Sequence, residues 1–473
     1  HRDLHSFPTR RSSDLNNNKC EITKEEVLMR IMMLSWEYPP RIVGGIARVV
    51  HDLSHSFAKQ GHEVHVITYR EGDTKEFEKD GDVYVHRVVN YPINANNLID
   101  WVMQLNFCMI EKAADVIKEF GKFDVIHAHD WLVAYAARAL KRTHKIPLVA
   151  TIHATESGRN KGIHNSSQGY VNDVEWMLTY EAGNVICNSQ FMKNEIKNLF
   201  GKPIENIHVV PNGININKFD NQEKDMEFRR NYAADNEKII FFAGRIVNEK
   251  GIQILFQAAP KILASYPNVK FVIAGRGPCM DELKGLADYL GISQKVYFTG
   301  YLNDVQITKM YKCIDVATFP SLYEPFGIVA LEGMLAGAAT VVSDAGGLNE
   351  IISHGIDGMK SYAGNPNSLA DSILEVLFNE DLCRQIAKNA REKVIREFNW
   401  DTISKSTMKV YKDTIKAAKA MNAKVKFDAL AKSEDLGIAT NLDGKDTTIT
   451  TDTTDKEINI LPNPMKRKIK GTV

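Results

Sequence analysis

Twice in this chain, short apolar and β-branched runs alternate with stretches of helical spacing, and that rhythm leaves few folds open. From about Arg30 the order is an apolar strand RIMMLSW, a Pro/Gly loop EYPPRIVGG, and a helix IARVVHDLSHSFAKQG with apolar i, i+3, i+4 spacing and a glycine stop. The strand HEVHVITY completes a βαβ unit. DVIHAH, PLVATIH, NVICNS and IHVVPN follow, alternating with helical stretches up to about Pro211. The rhythm restarts with KIIFFAGR, VKFVIAG, KVYFTG, VATFP and ATVVSD, each leading into helix-like sequence. Strands and helices alternating at this spacing predict an α/β fold with a parallel, doubly wound sheet in each half.

The expected division is a first domain over residues 29–211, a polar linker over 212–235, a second domain over 236–395, and an amphipathic closing helix over 396–423 that braces the first half. At 473 residues and 44% hydrophobic, the chain has enough length for more than one core. Residues 1–28 are polar and unpatterned, resemble a translated adapter sequence, and are set aside. Residues 424–473 are Thr/Asp-biased with a basic end, which reads as a disordered tail. Basic and acidic residues balance at 59 each, so no long-range field favours nucleic acid or an anionic membrane. Six scattered cysteines, with no C-x-x-C pair and no His/Cys cluster at metal-ligand spacing, point to a reducing cytoplasm and no structural zinc. No apolar run approaches the roughly 20 residues of a membrane span.

The chemistry concentrates in SLYEPFGIVALEGMLAG, residues 321–337, where Glu332 lies in a helix otherwise suited to burial. Backbone N–H groups near Gly327 and Ile328 open that helix and offer an anion site. Glu332 lies about 7.5 Å further along the axis, in reach of a neutral hydroxylated group beside a phosphate, such as a ribose. Eight residues of helix would put Glu324 about 12 Å from Glu332, against the roughly 5 to 5.5 Å of a retaining glycosidase pair. The spacing suits two ends of one ligand, sugar near Glu324 and nucleoside near Glu332. Gly44 and Gly45 permit close backbone approach of a ligand after the first strand, and His153 follows a strand's carboxyl end, where open α/β sheets place ligands. His127-x-His129 lacks a third ligand for zinc. Asn212-Gly213 would permit a positive φ and reads as a hinge rather than as chemistry.

Taken together, FAGRIVNEKG, EPFGIVALEGM with its E-x7-E, SDAGGLNEII, SWEYPPRIVGGIARVV, HAHDWL, TIHATESGRN and NSQFM resemble the GT-B glycosyltransferases of family 4, particularly glycogen/starch-synthase-like members. The resemblance covers about Arg30 to Lys419 and implies two Rossmann-like domains facing a cleft. It implies that Arg245 and Lys250 contact a donor diphosphate, as two cations neutralising a leaving group would. It also implies that His153 lies beside the transferred hexose, and Asp130 near the sugar site. Glu181 and Asn188 fall in a family-like segment but receive no role.

The implied reaction is retaining transfer of a hexose, glucose in the synthase-like reading, from ADP-glucose or UDP-glucose to the non-reducing end of an α-1,4-glucan. No cofactor is expected. The lack of a D-x-D-type motif fits metal-independent chemistry, with Arg and Lys in the cation's place. Three rivals stand beside it: a family-4 transferase with a small-molecule or lipid acceptor, a non-catalytic sugar-nucleotide scaffold, and a nicotinamide oxidoreductase. AGRGPCM carries only two of the three glycines the last would need.

Overall fold

The computed structural model describes residues 28–220 and 222–435, with side chains through 424. The expectations for residues 1–27 and for most of the tail lie outside it. The first half contains β1 (Arg30–Leu34), β2 (Glu63–Tyr69), β3 (Phe77–Asp80), β4 (Val83–Val88), β5 (Val125–His129), β6 (Leu148–Ile152), β7 (Asn184–Cys187) and β8 (Ile207–Val209). The second contains β9 (Lys238–Ala243), β10 (Val269–Ala274), β11 (Val296–Gly300), β12 (Val316–Phe319), β13 (Ala339–Ser343) and β14 (Met359–Ser361). Their spatial orders are β3-β4-β2-β1-β5-β6-β7-β8 and β11-β10-β9-β12-β13-β14.

Pairing is parallel throughout except between β3 and β4. Central strands such as β5, β6 and β13 are buried at every position, which is why they read as unbroken apolar runs rather than alternating ones. The antiparallel hairpin at the edge departs from the all-parallel expectation. Gly81, at φ +58°, lets the chain reverse in two residues between Asp80 and Val83.

In each sheet the strand order reverses once near the middle, between β1 and β5 and between β9 and β12. Ligand crevices of open α/β sheets form outside the carboxyl ends of strands at such reversals. The segments there are 35–45 and Asp130 in the first half, and 244–251 and 320–327 in the second. Gly44, Gly45, Asp130, Arg245, Lys250, Glu324 and Gly327 lie on them, whereas His153 follows β6 and Ile328 and Glu332 belong to the helix Ile328–Ala336.

The helix Trp400–Asp435 begins against the first sheet: Ile403, Met408, Val410 and Tyr411 join the same apolar cluster as Ile31, Val64 and Phe57. Residues 212–235 are not a slack linker. Ile214 and Phe219 are buried in the second core, and Arg229, at the end of the short helix Met226–Arg230, donates to the carbonyls of Cys313 and Ala234. Gly213 corrects the expected hinge turn, since its φ is not positive. A Cβ there would come within 2.6 Å of the Trp400 indole, so the residue is small because a ring lies on it.

Candidate active site

The loop after β9 and the loop after β12 meet through Lys250, whose ammonium lies 2.6 Å from Glu324 Oε2. Gly251 makes that contact possible: it adopts φ +69°, and a Cβ would fall 1.9 Å from the Pro320 carbonyl oxygen. Arg245 is more exposed and reaches Glu249 at 3.4 Å. Gly327, at φ +109°, caps the helix Ile328–Ala336. Glu324 therefore stands in the turn before the helix, and the separation drawn from eight helical residues does not describe the pair.

Glu332 is buried, at 3% exposure, and has acquired partners from far away in sequence. Arg48 Nη1 lies 3.3 Å from its Oε1, and Lys218 Nζ contacts the same oxygen. Burying a carboxylate is costly unless it is paired, and these two cations supply the pairing. One comes from the helix Gly45–Lys59 and the other from the segment between the halves. Neither has a sequence signal linking it to Glu332.

In the first half, Glu37 organises the glycine loop. Its Oε2 accepts from Val43 N at 2.6 Å and Gly44 N at 3.0 Å. Burial pushes its carboxyl above the ordinary range, against the pull of those bonds. Glu37 was not singled out from sequence, although an acid before a Pro/Gly loop is a candidate for binding loop amides. Gly45 starts the helix, and a Cβ on it would lie 3.2 Å from Ile328 Cδ1, so the first-half loop sits against the N-terminus of the second-half helix.

Asp130 follows β5 with φ +62°, a costly conformation for a non-glycine residue, and its Oδ1 accepts from His153 N at 2.7 Å. His153 Nε2 is 3.1 Å from His129 Nδ1. His127 contacts the Tyr411 hydroxyl at 2.7 Å and Thr151 Oγ1 at 2.6 Å. Burial lowers the pKa of all three histidines, His127 to about 3, and His153 is lowered despite the opposing Asp130. They are neutral rings at neutral pH. His127 is tied into packing beneath the closing helix. His153 is the one whose backbone is held by Asp130, and its carbonyl accepts from Asn188 Nδ2 at 3.3 Å. Glu181, given no role from sequence, is buried among Arg138, Lys141 and Arg142.

Further bonds join the halves beside this region. Ser189 Oγ donates to the Pro325 carbonyl at 2.6 Å, the Tyr323 hydroxyl donates to Glu195 at 2.8 Å, and Glu350 accepts from Gln190 N and Phe191 N. Gly45, Ile328, Glu332 and the Lys250–Glu324 pair are thus parts of the facing surfaces of two sheets.

Comparison with known proteins gives this arrangement its family. Residues 43–218 match the family model described as Glycosyltransferase Family 4, and residues 223–393 the model described as Glycosyl transferases group 1. A protein of Methanocaldococcus jannaschii named as an uncharacterized glycosyltransferase is 41% identical over 388 residues, covering 81% of this chain and 98% of its own. The chain is a family 4 glycosyltransferase of the GT-B fold. A glycogen synthase of Mycobacterium tuberculosis is 33% identical over 398 residues, 81% of this chain and 94% of that one. Among solved structures, sucrose-phosphate synthase from Thermosynechococcus elongatus superposes with a TM-score of 0.71 at 22% identity, over 82% of this chain and 100% of that chain. As a family 4 glycosyltransferase the protein is a transferase enzyme, and its two sheets are the paired Rossmann-like units of that fold. Among the described residues no helix is long and apolar enough to cross a membrane.

Proposed function

We propose that this glycosyltransferase moves glucose, with retention, from ADP-glucose or UDP-glucose to the non-reducing end of an α-1,4-glucan. The observation that carries the proposal is the meeting of the two switch-point crevices, where the Gly45 loop abuts Ile328 and the Lys250–Glu324 pair lies on the second face. The glycogen synthase relative supports the choice of donor and acceptor.

In this reading the donor diphosphate lies on Arg245, Lys250 and the backbone N–H groups at Ile328, and the ribose hydroxyls bond Glu332. The glucose sits between Glu324 and His153, with Asp130 and Gly45 completing its enclosure. The bond from the anomeric carbon to the diphosphate oxygen breaks as the acceptor oxygen bonds to the same face. The acceptor proton passes to the departing phosphate. Arg245 and Lys250 stabilise the charge that develops there, an interaction stronger in the transition state than in the bound donor. A neutral His153 suits a positioning contact with a sugar hydroxyl.

The assay incubates the protein with ADP-glucose or UDP-glucose, with and without glycogen, and measures nucleotide diphosphate release alongside labelled glucan. Glycogen-dependent release with glucan growth is the expected result. A second reading, a small-molecule or lipid acceptor, draws on the loop RIVGGIARV, which has no lysine before the glycine pair where the longer bacterial glycogen synthases resembled here have one. It is favoured if release is indifferent to glycogen but rises with such an acceptor.

A further inference from the structure

His51 and His55 stand one turn apart on the helix Gly45–Lys59 and share a face, with ring centroids 4.3 Å apart. The β3–β4 turn presents Asp80 to both. Its Oδ2 lies 3.5 Å from His51 Nε2 and 3.2 Å from His55 Nε2, and one ligand atom from each residue falls within 4.8 Å of the others. Two ligands bound to a tetrahedral zinc ion at its usual bond lengths are separated by about 3.3 Å. The two separations to Asp80 bracket that value.

The surroundings are those of a histidine prepared for ligation. His51 Nδ1 meets Asp52 Oδ1 at 2.7 Å, and Asp52 Oδ2 accepts from Trp400 Nε1 at 3.0 Å. A carboxylate on the outer nitrogen holds the tautomer whose Nε2 lone pair faces Asp80. The Tyr38 hydroxyl donates to Asp80 at 2.9 Å and lies 3.4 Å from His55 Nε2, which leaves a polar fourth direction. The three side chains are each about one-third exposed, so an ion can enter from solvent.

We propose that His51, His55 and Asp80 form a three-ligand site for a transition-metal ion of zinc type, with water in the fourth position. The expectation of no metal rested on cysteine spacing, on His127-x-His129 and on the lack of a D-x-D-type motif. It passed over the pair one helical turn apart, and Asp80 lies 25 residues beyond His55. The ion would pin the edge hairpin to the helix that begins at the cleft's glycine loop, and through Asp52 and Trp400 it would reach Gly213. Its role is structural and separate from the residues assigned to the donor.

Protein freed of metal by chelator dialysis is titrated with Zn²⁺ by calorimetry and with Co²⁺ by visible absorption, and its melting is followed by circular dichroism. The wild type is expected to bind one Zn²⁺ with a Kd of about 1 μM or tighter and to melt higher with Zn²⁺ present. Co²⁺ should give four-coordinate d–d bands without a thiolate charge-transfer band. His51→Gln, His55→Gln and Asp80→Asn should each weaken binding about 100-fold, judged on those that melt cooperatively without metal, whereas His164→Gln, at an exposed histidine, should not. Failure of the wild type to bind one equivalent, a thiolate band with Co²⁺, or wild-type affinity in the cooperatively melting ligand variants would overturn the assignment. Two imidazoles and a carboxylate held together by hydrogen bonds alone would then account for the cluster.

Discussion

Replacing Glu332 with glutamine keeps the side chain's shape and removes its charge, and the structure sets the size of two separate effects. Lys218 is 17% exposed and has no second carboxylate partner among the described residues, while Arg48 keeps Asp304. Leaving one mostly buried ammonium unpaired costs about 1–3 kcal/mol of stability. If the carboxylate also holds the ribose, hydrogen bonds to a charged group worth about 1.5–3 kcal/mol are lost from binding. At 1.4 kcal/mol per decade that is roughly a 10- to 150-fold weaker Kd. The assay pairs calorimetric titration with ADP and UDP against thermal melts of the empty protein. Asp304→Asn is the control, since it removes only the exposed partner of Arg48 and should cost at most about 1 kcal/mol with nucleotide affinity unchanged. A Glu332→Gln protein that melts earlier but binds nucleotide within twofold of wild type would refute the ribose contact and leave Glu332 a purely structural ion. The buried pairing predicts that binding and folding both suffer.

Arg245→Ala and Lys250→Ala should lower kcat about 100-fold or more by removing leaving-group charge, measured as donor-saturated turnover, and Lys250→Ala should also lower the melting temperature by stranding Glu324. His153→Ala should slow sugar transfer while ADP and UDP affinity in calorimetry stays near wild type; unchanged transfer would make this histidine structural. Gly213→Ala should destabilise the chain by about 1–3 kcal/mol because of the Trp400 ring, read as a lower denaturation midpoint. Glu175, 1% exposed, has its carboxyl pushed up to about 8, chiefly by burial. The folded state therefore keeps a proton that the unfolded chain releases near its ordinary value, so stability should fall as pH rises between about 4.5 and 8. Glu175→Gln should flatten that part of the melting-temperature profile, and an unchanged slope would assign it to other groups.

The sheets were legible because central parallel strands are buried on both faces and write themselves as uninterrupted apolar runs. The edge hairpin was missed for the converse reason: β3 alternates exposed and half-buried positions in FEKD and offers no such run. Its Asp80-Gly81 turn was the readable signal. Gly45 and Gly327 were singled out as glycines following strands, and Asp130 and Lys250 through the family resemblance. The partners of Glu332 were not, because Arg48 and Lys218 are surface-type residues in sequence and only the approach of two sheets brings them to one oxygen. Gly213 was selected correctly as a constrained position but for the wrong constraint, since a glycine required by a neighbouring ring and one required by φ look alike in a string of letters.

The closing helix also bears on how this chain is made. Tyr411 bonds His127 and lies against Phe57, and Ile403, Met408 and Val410 complete the apolar face of β1 and β2. A ribosome delivers β1 through β8 long before those residues, and the whole second sheet emerges in between. The first half must therefore wait with an unfinished face while its neighbour is synthesised, so nascent chains stopped just short of Trp400 should be a preferred substrate for chaperones.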